Sequence, residues 1–383
     1  MRQLKFGELF SYLKKSKIKA GDGLELAQGK YPFFTSSSRL TKSINIWQEE
    51  KPSLIFGTGG EASVHHADDK FSVSTDCLVA QPNEEYELYV KFVYYYLSGN
   101  IRILEDGFKG AGLKHISRRY IDEIKIPLPS LETQKQIAQT LDNAAALRDK
   151  TQQLLAEYNQ LAESIFLDMF GDPVLNKKSW KIKKVQDISE IVTKGSSPKW
   201  QGFGYIDKGV RFVTSENVRM GYLDCSQDKF VALDFHKKLR KSQLKQNDLL
   251  VNLVGASIGR GALVTSEILP ANINQAVAKI EPRQDLVNHL FLLHLVITKQ
   301  MQDRLIGNKV EGARANISLT NVRELEIIYP PMKLQNQFAE KIALIEQQKD
   351  LAKKELQESE DLFQALLQKA FRPAEEHDKS ELV

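Results

Sequence analysis

The sequence predicts an α+β protein. It reads as two globular domains of mixed α/β content, separated by two long helices that form an antiparallel coiled coil, all arranged as a pseudo-twofold internal repeat. Three observations predict this. A shift of 201 aligns the chain with itself, without a gap, from Gly110 to Phe170. In that overlap "HIS" (115–117) falls on "NIS" (316–318) and Pro129 on Pro330, while Gln134, Gln136 and Ala138 fall on Gln335, Gln337 and Ala339. Both copies then carry an apolar stripe at alternating steps of four and three, sustained over four to five heptads as a coiled coil requires. Charge divides by segment as well: Lys and Arg minus Asp and Glu is +2 for 1–131 and +8 for 180–325, but −4 for 132–173 and −3 for 332–383.

The first domain is placed at 1–128. There "PSLIFGTGGEASVHH" and "KFSVSTDCLVAQP" read as strands around glycine turns, and "YVKFVYYYLSGNI" as a helix that Gly99 and Asn100 close. The first long helix is placed at 129–173, opening on "PSLETQKQIAQTLDNA" and stopped by Gly171 and Pro173. Its seam runs through Ile137, Leu141, Ala144, Arg148, Thr151, Leu155, Tyr158, Ala162, Ile165 and Met169. The second domain, 174–329, repeats the order: "NDLLVNLVGASIGRGALVT" is strand, glycine loop, strand, "NINQAVAKIEP" a further strand, and "NHLFLLHLVITKQMQDRL" a helix.

The second long helix, 330–373, opens on "PPMKLQNQFAEKIALI" and stops at Pro373. Its seam is Phe338, Ile342, Ile345, Lys349, Ala352, Leu356, Ser359, Phe363, Leu366 and Ala370. Each helix should extend roughly 55–60 Å at 1.5 Å per residue. Arg148 and Lys349 occupy the same seam position, and a recurring polar seam residue that fixes register predicts that the two seams face each other. The alternative is two separate amphipathic helices, each covering its own domain. Residues 374–383 read as a flexible polar tail.

Composition narrows the class. With 42% hydrophobic and 27% charged residues, no run of eighteen apolar residues and no signal-like apolar core in "MRQLKFGELF", the chain reads as soluble and cytoplasmic. Cys77 and Cys225 are too few for a disulfide framework or a cysteine zinc site. No G-x-x-x-x-G-K-[ST] phosphate loop is present, and "FGTGGEAS" lacks dinucleotide-binding spacing. "YPPM" (329–332) has no leading Asn or Asp to accept a target amine and reads as a strand-to-helix junction. His65 and His66, with Asp68 and Asp69, read as a solvated turn rather than a metal site. The expectation is a binder, with no catalytic residue and no metal.

What it binds follows from side-chain type. "GFKGAGLKHISRRY" gathers Lys109, Lys114, His115, Arg118 and Arg119 among glycines that let backbone approach a phosphate chain, and Lys30 stands in "GKYPFFTSS". The repeat mate "NKVEGARANISLTN" offers Lys309, Arg314 and Asn316. "RFVTSENVRMGY" offers Arg211, Ser215, Glu216, Asn217 and Arg219, a mixture of phosphate and base-edge partners; Arg260, Asn272, Asn274 and Gln275 follow. In the major groove Arg suits guanine, and Asn or Gln suits adenine. Two DNA-reading domains held apart by a stiff helix pair would read two half-sites across a fixed gap, their centres near one duplex turn of roughly 34 Å.

These phrases carry a resemblance. "GKYPFFTSS", "LIFGTGGEASVHH" with "KFSVSTDCLV", "VGASIGR" with "NINQAVA" and, above all, "IPLPSLETQKQIAQTLD" resemble the specificity subunit of type I restriction-modification systems, over essentially the whole chain. The resemblance implies that 1–128 and 174–329 are target-recognition domains, each reading half of a bipartite double-stranded DNA site. It implies that the helices set the spacer and dock two modification methyltransferase subunits, and that restriction subunits with translocase and nuclease activity join them. S-adenosylmethionine and ATP with magnesium would belong to those partners, leaving this chain non-catalytic and without a cofactor. The recognition subunit of a type II-like restriction system, or a coiled-coil scaffold binding RNA or protein non-specifically, would share the architecture.

Overall fold

The computed structural model describes residues 2–371, except Ala111, Leu113 and 308–315. Lys309, Arg314 and the 374–383 tail therefore lie outside the described residues. The chain divides into two compact units, Met1–Gln153 with Lys353–Val383, and Leu154–Ala352. Both crossings, Gln153 to Leu154 and Ala352 to Lys353, fall inside the long helices Leu131–Phe170 and Met332–Phe371.

In the first unit, strands Phe10–Tyr12, Cys77–Pro82, Ser53–Gly57 and Ser63–Ala67 form an antiparallel sheet in that spatial order. A second sheet orders Leu24–Glu25, Lys42–Ile44, Tyr31–Phe34 and Ser72–Val73, its last pair parallel. Arg2–Lys5 pairs with Lys125–Leu128, which leads into the long helix. Phe6 stacks on Phe10 and meets the edge of Phe56, placing a fully buried aromatic cluster under the main sheet.

The second unit repeats this topology, without a strand answering to Leu24–Glu25 among the described residues. Ser189–Lys194, Val277–Pro282, Leu249–Asn252 and Gly261–Leu263 form the main sheet; Phe230–Val231, Val210–Val213 and Ala271–Ile273 form the other, its last pair again parallel. Lys181–Lys184 pairs with Glu326–Tyr329 before the second long helix. Matching registers equate Phe33-Phe34-Thr35-Ser36 with Phe212-Val213-Thr214-Ser215, and Ser53–Gly57 with Asp248–Asn252. The duplication thus extends through the domains, where sequence identity had faded.

Each long helix is 40 residues, about 60 Å. Ser130 caps the first, its Oγ accepting from Thr133 N, and Gly171 ends it at φ +77°. Within each unit the start of one long helix lies beside the end of the other. In the first, Ile137, Ala138 and Leu141 share a cluster with Phe363, Leu366, Leu367 and Phe371. In the second, Ala162, Phe166 and Phe170 share one with Phe338, Ile342 and Ile345. Such neighbours run antiparallel, and all seam positions read from the sequence are buried or half-buried. Arg148 sits over the Phe363 ring at 5.3 Å, while Lys349 bonds to Glu346 of its own helix.

The heptad reading missed two positions that fix each helix to its domain. Gln134 and Gln335 are fully buried. Gln134 Oε1 accepts from Tyr89 N (2.9 Å), and its Nε2 donates to Glu87 O and Pro129 O. Gln335 Oε1 accepts from Asn288 N (3.0 Å), and its Nε2 donates to Pro330 O. In both units this amide satisfies a backbone N–H at the start of the domain's own helix, Val90–Gly99 or His289–Ile297. The repeated "Q" of the opening phrases is an anchor.

Candidate nucleic-acid interface

One end of the first domain collects four loops. The segment after strand Tyr31–Phe34 brings Ser36, whose Oγ donates to Asp76 O (3.1 Å). Thr58, at the turn after Ser53–Gly57, donates from both N and Oγ1 to the same carbonyl, 2.9 Å each. Thr58 O in turn accepts from Ile116 N (3.2 Å) and lies 3.0 Å from His115 Nδ1. His115 and Lys109 exchange backbone hydrogen bonds. A Cβ on Gly59 would sit 3.0 Å from the His115 ring, and Gly60 has φ +85°, so the "TGG" turn is set by close approach and by a left-handed backbone. Ser36, Ser37, Arg39, Lys109, Lys114 and His115 thereby share one surface.

The second domain builds the same end from different residues. Ile317 N donates to Leu253 O (2.8 Å), as Ile116 does to Thr58, and Val254 bridges Asn316 as Gly59 bridges His115. Buried Asn252 donates its amide to Ser215 O (2.9 Å) and Ser257 Oγ (3.1 Å). Its counterpart in the first domain is Gly57, against which the Ser36 backbone packs directly. Asn274 and Gln275 follow strand Ala271–Ile273; the Asn274 Oδ1 accepts from Ala276 N, and the buried Gln275 Oε1 has no partner among the described residues. Ser215, Arg260, Asn274, Gln275 and Asn316 thus meet at one end.

Other candidates are used inside the fold. Asn217 is buried: its Oδ1 accepts from Thr214 N (2.8 Å) and Thr214 Oγ1, and its Nδ2 donates to Asp224 O. That geometry makes it a loop builder instead of a base reader. Asn272 is likewise buried, bonded to Ser242 and His236. Arg211 lies toward the far end of its strand and pairs with Asp228 at 2.8 Å; this bond holds its guanidinium above its ordinary pKa. Arg219 pairs with Asp224 at 3.0 Å. Asp224 is held down at about 2, by hydrogen bonds from Ser226 first and from Arg219 next. Arg118 covers Tyr12 at 4.3 Å and neighbours Asp122, with exposed Arg119 on the same short helix. Lys30 precedes strand Tyr31–Phe34, at the opposite end from Ser36. Among the described residues no group of His, Cys, Asp or Glu could hold a metal, and no helix is long and apolar enough to cross a membrane.

Residues 2–160 and 177–360 match the family described as type I restriction modification DNA specificity domain, once per repeat. The chain belongs to this family. Among curated proteins it is 24% identical to the type I restriction enzyme EcoBI specificity subunit of Escherichia coli, over 83% of this chain and 73% of that one. It is also 24% identical to the MjaVIII specificity subunit of Methanocaldococcus jannaschii, over 93% and 88%. Among solved structures, the type I restriction-modification S subunit from M. genitalium superposes with a TM-score of 0.60 at 18% identity, covering 97% of this chain and 96% of that one.

Proposed function

We propose that each domain reads one half of a bipartite, gapped DNA site through its loop end. The observation that carries this is one scaffold built twice, with Ser, Arg, Lys and His at one end and Arg, Asn and Gln at the other. Arg260 suits guanine, and the Asn274, Gln275 and Asn316 amides suit adenine. The long helices set the gap, since the chain passes between its units only within them. Their outer faces, which expose Leu147, Leu161, Leu344, Leu351 and Leu362 among acidic residues, dock two modification methyltransferase subunits. Adenine methylation with S-adenosylmethionine, and ATP-driven restriction with magnesium, belong to those partners in the cytoplasm; this chain is non-catalytic.

The test maps methylated adenine across the genome with and without this gene, and again with four residues, about one turn, inserted into both long helices. A gapped motif that disappears on deletion, and whose gap lengthens between unchanged half-sites on insertion, is expected. An unchanged methylome on deletion would overturn the specificity role. Altered half-sites with a constant gap would overturn the spacer.

A further inference from the structure

We propose that in each domain the connector following the first strand of the main sheet is a phosphate clamp. Lys14, Lys15, Lys17 and Lys19 form it in the first domain; in the second, Lys199 on the connector forms it with Lys194, the last residue of the strand the connector leaves. The inference rests on the DNA-reading assignment above and deepens it by naming residues that supply affinity without choosing bases.

Both connectors run past the loop end. In the first domain the chain leaves strand Phe10–Tyr12, and Ile18 O accepts from Thr75 N at 2.8 Å. In the second it leaves Ser189–Lys194, and Gly195 N donates to Asn274 O at 3.1 Å. Ser74 and Thr75 correspond in register to Asn274 and Gln275, so both connectors touch the same turn. The approach in the second domain is close enough that a Cβ on Gly195 would lie 1.8 Å from Ile273 O. Lys199 is four residues on, within roughly 14 Å of that contact even for an extended chain.

The connectors are fixed in place while their charges are unanswered. Ser16 Oγ accepts from Gln48 Nε2 (2.9 Å) and Ile18 N (3.1 Å), and Lys19 N donates to Asp22 Oδ2 (2.8 Å). All six lysines are exposed, and among the described residues none forms an ion pair. Arg211, Arg219 and Arg283 in the second domain do have carboxylate partners. A pinned backbone carrying four like charges in six residues is preorganised for a polyanion. Lysine, a strongly hydrated point charge on a flexible stem, contacts phosphates without reading sequence. Protein carboxylates would also attract it, but the contact with the loop-end turn in both domains favours the DNA strand bordering each half-site.

The complex of this chain with its modification subunits tests the clamp. Binding would be measured against salt on a duplex carrying the motif from methylation mapping, and on a mixed-sequence duplex. With Lys14, Lys15, Lys17 and Lys19 all changed to Gln, or Lys194 and Lys199 to Gln, the slope of log K against log[salt] should fall by about 0.9 for each phosphate no longer neutralised. Both duplexes should weaken alike and the methylated motif should stay the same. The all-Arg versions, which keep the charge, should retain the wild-type slope. An unchanged slope in the Gln variants overturns the clamp, as does a change of motif. A wild-type complex with no preference for its motif would instead refute the DNA-reading assignment.

Discussion

In the first domain Ser53 and Gln81 stand on neighbouring strands of the main sheet, and Gln81 Nε2 donates to Ser53 Oγ at 3.2 Å, beside Val79. At the corresponding places the second domain has Asp248, Glu281 and Lys279. Lys279 is almost wholly buried; its ammonium donates to Gln243 O (2.9 Å) and lies 3.3 Å from Glu281 and 3.5 Å from Asp248. Burial pushes the Asp248 carboxyl up to about 6, in spite of bonds from Lys245 N and the nearby Lys279 charge. One backbone therefore accepts either a neutral pair or an ionic triad in its sheet. Chain geometry is preserved by a small set of shared contacts, while even interior polar groups diverge.

The largest expected effect breaks that contrast. Lys279→Met leaves Asp248 buried without its cation and should destabilise the protein by about 3–5 kcal/mol, read as a lower urea midpoint of the full chain. Replacing the triad with its counterpart, as Asp248→Ser, Lys279→Val and Glu281→Gln together, should recover most of that stability. If the triple variant is as unstable as the single one, the two sheets are not interchangeable frames.

A smaller effect sharpens what the domains share. Gln134→Ala and Gln335→Ala each strip hydrogen bonds from buried backbone groups at a helix start, for roughly 2–4 kcal/mol. Two bonds are common to both, and Gln134 has a third, to Glu87 O, so its cost should be modestly the larger. Hydrogen exchange should quicken at Tyr89 in one variant and at Asn288 in the other. A large inequality would mean that the aromatic contacts beside them, Phe92 with Phe371 and Phe291 with Phe170, carry the anchoring unequally.

The long helices and their duplication were legible in the sequence because a helix enforces constant spacing, so a shift of 201 and a heptad stripe survive divergence. The domains obscured their kinship because loops changed length: Phe33 answers to Phe212, whereas Cys77 answers to Val277. Half of the candidate surface was legible too, since Lys109, His115, Arg260, Asn274 and Gln275 reach the loop ends. Residue type alone could not show that Asn217 and Asn272 turn inward, or that Arg211 already has Asp228, because a loop polar looks the same whether its partner is a base or its own backbone. The Gln134 anchor was hidden for the opposite reason: a glutamine near a helix start reads as solvent-facing.

The smallest effect in free energy should be the most selective. Gln275→Ala removes an amide whose buried Oε1 has no hydrogen-bond partner among the described residues and would turn outward to meet a base, so stability should barely change, while removing a good side-chain pairing to a base costs about 1–3 kcal/mol of discrimination. Methylation mapping should then show one half of the motif relaxed at a single position, with the other half and the gap intact. Arg39→Ala in the first domain should relax the other half, since Arg39 is exposed at that loop end and its backbone N–H, not its guanidinium, is what Ser37 holds. Relaxation of both halves by either change would mean that the two loop ends do not read separately, and the comparison between the domains would lose its functional meaning.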